Sequence, residues 1–185
     1  MEKREVYFDN SATTRAFDEV RDIVAKTMTI DYGNTSSRHM KGVEAENYIK
    51  TAREEIAKTL KVKDKEILFT SGGTESNNLA LIRSAMANKR SGNHLITTSV
   101  EHASVDNPMK YLEEQGFKVS YLPVDQDGIV SLEALKEALR PETILVSVMY
   151  VNNEVGAVQP VDEIAKLVKD YDSKIIFHVD AIQAY

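Results

Sequence analysis

The residues Ser71-Gly72-Gly73-Thr74-Glu75 offer the first recognisable chemistry in this chain. They follow the apolar run Ile67-Leu68-Phe69 and precede a helix-favouring pattern, an order that predicts strand, tight turn and helix. Glycines let the backbone turn its N–H groups inward, and a helix start aims unpaired N–H groups and a positive dipole end at the same point. An anion suits that place, although an ordinary capped turn uses the same residue types. The segment has neither the third glycine of a dinucleotide fingerprint nor a lysine at the P-loop position, so a single phosphate fits better than a nucleotide.

The elements that must carry such a site can be read from periodicity. Strands are predicted at His94–Thr98, Lys118–Leu122, Ile144–Met149 and Lys174–Val179. Helices are predicted near Phe17–Met28, Lys41–Leu60, Glu75–Asn88, Ser104–Gln115, Leu132–Leu139 and Val161–Tyr171. Alternating strands and helices imply right-handed crossovers and a largely parallel sheet. Ligands gather at the carboxyl ends of such strands. There the chain delivers Glu101 and His102, then Asn152, Asn153 and Glu154, then Asp180 and Gln183. In the N-terminal part, Val20, Val24 and Met28 share one helix face. Val43, Ala45, Ile49, Ala52, Ile56 and Leu60 form an apolar stripe on the next helix.

Composition removes several alternatives. The 185 residues carry 29 acidic and 23 basic side chains, a formal charge of -6, without a basic run that nucleic acid or an anionic membrane would need. No apolar stretch approaches the roughly 20 residues of a membrane span, and the start Met1-Glu2-Lys3-Arg4 is polar, so a cytoplasmic protein is expected. There is no cysteine for a disulfide, thiolate or thiol nucleophile. His39, His94, His102 and His178 show no metal-ligand spacing.

Asp180 follows an apolar strand, where a lone carboxylate is costly unless a cation such as a protonated ring nitrogen meets it. A phosphate cup, an aspartate for a ring nitrogen, a histidine able to stack and amides for a phenolic oxygen describe a pocket for pyridoxal phosphate. Five ordered segments then carry a specific resemblance: Tyr7-Phe8-Asp9-Asn10-Ser11-Ala12-Thr13-Thr14, Phe69 to Asn78, Glu101-His102, Tyr150 to Gly156, and Phe177 to Gln183. Together they closely resemble cysteine desulfurases of the NifS and IscS type, within the class V aminotransferase family.

That resemblance implies a fold-type I, three-layer α/β sandwich with a mostly parallel sheet. Residues 1–15 would be an N-terminal segment bordering the active site, on the small-domain side, and residues 16–185 part of the cofactor-binding large domain. It implies that Gly73 and Thr74 bind the phosphate and that His102 stacks on the ring and moves protons. Asp180 would hold the pyridinium nitrogen protonated, and Gln183 and Asn153 would face the phenolic oxygen. Ala12, Thr13, Asn34 and Asn153 would border or contact the substrate. L-cysteine would be the substrate, a homodimer the assembly and a sulfur-acceptor protein the partner, in iron–sulfur cluster assembly or tRNA thiolation. His178, two residues from Asp180 on the same strand face, is read as packing.

The resemblance also implies a Schiff-base lysine in a Ser-x-His-Lys motif beyond Gln183, and a persulfide-bearing cysteine. Neither lies in these residues. The chain is accordingly expected to be the N-terminal part of such an enzyme and inactive by itself. Thr35 stands where the family usually has proline. Another class V enzyme such as a selenocysteine lyase, or a non-catalytic domain binding a phosphorylated ligand or a partner, remain alternative readings.

Overall fold

The runs Leu95-Ile96 and Ile144 to Met149 are too apolar to lie on a surface, and in the computed structural model they form the middle of a parallel sheet. The structure describes residues 5–185; the polar stretch Met1-Glu2-Lys3-Arg4, the first part of the expected N-terminal segment, lies outside the described residues. The chain divides into two units after Phe69.

The second unit, Thr70–Tyr185, holds α3 (Gly73–Asn88), β1 (His94–Thr98), α4 (Ala103–Glu114), β2 (Lys118–Leu122), α5 (Leu132–Ala138), β3 (Thr143–Met149), α6 (Val161–Tyr171) and β4 (Ile176–Asp180). Strand order is β2-β1-β3-β4 and every pairing is parallel. All residues of β1 and β3 are buried, as expected of central strands covered on both faces. Ile96, Val146 and Val148 pack on one face with Leu135 of α5 and Ile164 and Val168 of α6. Leu95 and Leu145 pack on the other with Leu81 and Ala85 of α3 and Val105, Met109 and Leu112 of α4. The result is the three-layer sandwich expected, each fully buried aliphatic side chain contributing about 1.5–3 kcal/mol.

The register Met149↔Asp180 aligns the carboxyl ends of β3 and β4, so the loops that follow leave the sheet at one edge. At the opposite edge the buried His94 ties three strands together, with Nδ1 2.7 Å from Thr143 Oγ1 and Nε2 2.9 Å from Ser120 Oγ.

One expected strand is absent. Ile67-Leu68-Phe69 has no strand pairing, because an extended run becomes a strand only when another backbone takes its hydrogen bonds, and none of the described residues does. Phe69 lies beneath the Arg53 guanidinium, 5.4 Å from its ring centre.

The first unit holds α1 (Asp18–Thr29), α2 (Met40–Leu60) and a 3-10 turn at Asp64–Glu66. Its apolar stripes are less buried than their periodicity suggests: α1 buries no residue, and Val43, Ile49 and Leu60 of α2 stay exposed while Ala45 and Ala57 are covered. A stripe is buried only where a second apolar surface lies against it. The loop before α2 is closely folded. A Cβ on Gly33 would stand 1.9 Å from the Lys41 carbonyl oxygen, and one on Gly42 2.1 Å from that of Ser37.

Candidate cofactor site

The helix α3 starts at Gly72-Gly73 with no side chain capping it. Glu75 reaches back to Ser71, its Oε2 accepting from the backbone N (2.7 Å) and from Oγ (2.6 Å), and these bonds hold its carboxyl below the usual range. The N–H groups of Gly73 and Thr74, in the first turn, have no carbonyl one turn earlier in the helix to bond, and such groups suit an anion. A Cβ on Gly73 would meet Ile182 Cδ1 at 2.5 Å, so the turn after β4 passes directly beside the helix start. Gln183 lies half-buried in that turn.

Asp180, the last residue of β4, is 7% exposed. Its Oδ1 accepts from the Ile182 N–H (3.1 Å) and its Oδ2 from Asn77 Nδ2 (2.8 Å). Both donors are neutral. Among the described residues no cation pairs with this buried carboxyl, which favours a cationic group arriving beside it. Asn77 Nδ2 also donates to Ser104 Oγ (2.9 Å), and Ser104 Oγ is 2.8 Å from His102 Nδ1. His102, exposed, caps α4 by accepting the Ser104 N–H at Nδ1 (3.1 Å). One continuous set of hydrogen bonds thus joins the carboxyl end of β4, the first turn of α3 and the start of α4.

A cavity of about 530 Å³ opens between the loops after β1 and β3, bordered by Val100, Glu101, His102, Asn152 and Asn153. The two asparagines differ. Asn152 is buried, its Oδ1 accepting from the N–H groups of Glu154 and Val155 and its Nδ2 donating to the Val100 carbonyl, so it holds the two loops together. Asn153, half-buried, lines the cavity.

Glu101 is unusual. Its Oε1 accepts from Thr98 Oγ1 (2.7 Å) and the Met149 N–H (2.9 Å), while Oε2 is buried with no hydrogen-bond partner among the described residues. Burial, reinforced by nearby Asp180 and opposed by those hydrogen bonds, pushes its carboxyl from 4.5 up to about 7. His178 packs as its strand position suggested, with Nδ1 2.9 Å from Ser147 Oγ; burial lowers its pKa against the pull of Asp180.

Gly73, Thr74, His102, Asn153, Asp180 and Gln183 therefore all belong to one unit, at the α3 start and the carboxyl edge of the sheet. Ala12, Thr13 and Asn34 belong to the first unit. Ala12 and Thr13 are exposed in a turn whose N–H groups reach the Asp9 carbonyl, and the Asn34 side chain accepts the Ser36 N–H in the loop before α2. Asn77, Ser104 and the buried state of Glu101 have no local signature: Asn77 and Asp180 are 103 positions apart.

Residues 6–185 match the model of the aminotransferase class-V family. The chain belongs to that family. A cysteine desulfurase IscS of Dictyoglomus turgidum is 48% identical over 181 residues, covering 98% of this chain and 45% of that protein. Among solved structures, a NifS-like protein superposes with a TM-score of 0.92 at 44% identity, covering 95% of this chain and 48% of its own. SspA, solved in complex with cysteine, superposes with a TM-score of 0.88 at 40% identity, covering 94% and 49%. The class V chain thus spans about half the length of the relatives it matches.

Proposed function

We propose that this chain forms the cofactor-facing floor of a pyridoxal phosphate-dependent cysteine desulfurase, which takes L-cysteine to L-alanine and an enzyme-bound persulfide. The observation that carries the reading is Asp180: a buried carboxylate at a strand end, met by neutral donors among the described residues, within the same hydrogen-bond network as His102. The donor set fits the cofactor on its own terms, with N–H groups of a helix start for a phosphate and a carboxylate for a ring cation.

Pyridoxal phosphate, when bound, supplies an electron sink. Gly73 and Thr74 would bind its phosphate, Thr74 adding a hydroxyl. Asp180 would hold a proton on the ring nitrogen, and His102 would face the ring. Asn153 and Gln183 would hold the phenolic-oxygen side. The sequence resemblance supports substrate-side roles for Ala12, Thr13 and Asn34 and, separately, for Asn153, and it supports assigning residues 1–15 to an N-terminal segment. The persulfide-bearing cysteine is not among these residues. A homodimer, a sulfur-accepting protein and a cytoplasmic setting belong to the same proposal, supported by the sequence resemblance.

Titration of the 185-residue chain with pyridoxal phosphate, followed by absorbance, tests the reading. Asp180→Ala should weaken binding about 10- to 100-fold, the loss of one charged contact. Thr74→Ala should weaken it about 2- to 10-fold, the loss of one neutral hydrogen bond. Binding unchanged in both variants would contradict the assignment.

A further inference from the structure

The bonds between Asp180 and His102 have a direction that valence alone fixes. A carboxylate accepts and cannot donate, so the Asn77 amide atom 2.8 Å from Asp180 Oδ2 is its NH2 group. That group has two hydrogens. One goes to Asp180 and the other to Ser104 Oγ. Ser104 Oγ, accepting from Asn77, has its own hydrogen left to give, and His102 Nδ1 lies 2.8 Å away. The Ser104 backbone N–H points at the same Nδ1. A ring nitrogen receiving two donors carries no proton, so in the neutral ring the proton sits on Nε2.

Asn77 and Ser104 are both buried, 4% and 7% exposed. A buried asparagine that spends both amide hydrogens on one carboxylate and one hydroxyl is held in a single orientation.

We propose that Asn77 and Ser104 are positioning residues that hold the His102 ring as its Nε2–H tautomer, with the Asp180 carboxylate setting the direction of the chain. His102 then presents a hydrogen-bond donor at its outer nitrogen. It takes up a proton at Nδ1 only if the Ser104 hydroxyl turns away and the backbone N–H contact is lost. A ring held this way is a hydrogen-bond donor at Nε2, and it can accept a further proton only at Nδ1, after that rearrangement. The consequence for catalysis rests on the reading of His102 as a cofactor contact; the tautomer itself does not, and is measurable without cofactor or substrate.

The test is a long-range 1H–15N spectrum of the 185-residue chain labelled with 15N-histidine, at mildly alkaline pH and without cofactor. The His102 signals are assigned by their loss in His102→Gln. The wild type should show a pyridine-like Nδ1 and a pyrrole-like Nε2, with no detectable Nδ1–H form. Ser104→Ala should let that minor form grow several-fold, toward the mixture of a free imidazole, and Ser104→Thr should suppress it again. Asn77→Leu, which leaves the Ser104 hydroxyl undirected, should give a smaller rise. A purely structural role would leave the tautomer unmoved in folded variants. A mixed tautomer in the wild type, or a folded Ser104→Ala with the wild-type pattern, overturns the proposal. Should a variant fail to fold, the wild-type spectrum alone decides. Failure of pyridoxal phosphate to bind leaves this measurement intact, so the two readings fail separately.

Discussion

Replacing Glu101 by glutamine should make the protein more stable at neutral and alkaline pH, and by an amount that depends on pH. The carboxyl is pushed from 4.5 to about 7 by burial, with Oε2 lacking any partner among the described residues. The unfolded chain releases this proton near the lower value and the folded chain near the higher one. Between them the folded state binds more protons, so stability falls as pH rises. At about 1.4 kcal/mol per pH unit, the interval amounts to about 3 kcal/mol. Glutamine keeps an Oε1 that can accept from Thr98 Oγ1 and the Met149 N–H, and it does not titrate. Urea unfolding of both proteins across the interval is the assay. His94 and the other groups that do not interact with Glu101 contribute alike in both proteins and cancel in the difference. Stabilities should be close near pH 4.5. At about pH 8 the glutamine variant should lead by about 3 kcal/mol, or a midpoint shift of about 1–2 M urea. A difference that does not change with pH would show that Glu101 ionises as it does in water, and would refute the argument.

His94 should act with the opposite sign. Burial, with Arg140 adding to it, lowers its pKa from 6.5 to about 4, so the unfolded state binds the extra proton and stability is lost as pH falls through that range. His94→Gln should flatten the acid limb of a urea-stability profile while lowering stability at neutral pH. Leu145→Ala, at a 1% exposed position in the middle of β3, should cost about 2–5 kcal/mol by the same measurement. Gly42→Ala should destabilise the first unit by at least about 1–3 kcal/mol, because the new Cβ would lie 2.1 Å from a backbone oxygen that cannot step aside; hydrogen exchange of the residues around Ser37 would report it.

The sheet was legible because short β-prone runs such as Ile144 to Met149 alternate with helical patterns, the order of parallel strands covered on both faces. The helix start at Gly72-Gly73 was legible because glycine and a helix-favouring pattern are local signals. Ile67 to Phe69 has the composition of a strand, but strand formation depends on a partner that composition does not specify. The exposed α1 face fails for the same reason, since periodicity reports which side could be buried and not whether anything lies against it. Asn77 and Ser104 are hidden more deeply. An asparagine in the first turns of a helix has many uses, and only the crossing of α3 past the end of β4 gives this one an aspartate to hold. Glu101 was visible as part of a Glu-His pair, whereas its unpaired, buried Oε2 is a property of packing alone.

Asn152 and Asn153 show the same limit at closer range. Adjacent and chemically identical, both border the cavity, but Asn152 is buried and ties two loops while Asn153 is half-buried, a division set by which side chain the turn buries.

The most direct test of the central claim is chemical: the product of the whole gene that encodes these residues, purified with pyridoxal phosphate, is given L-cysteine and a thiol reductant, which releases the persulfide sulfur as sulfide, and assayed for alanine and sulfide. The account predicts both products, with alanine formation abolished in Asp180→Ala. A protein that binds the cofactor yet forms no alanine from L-cysteine would contradict it.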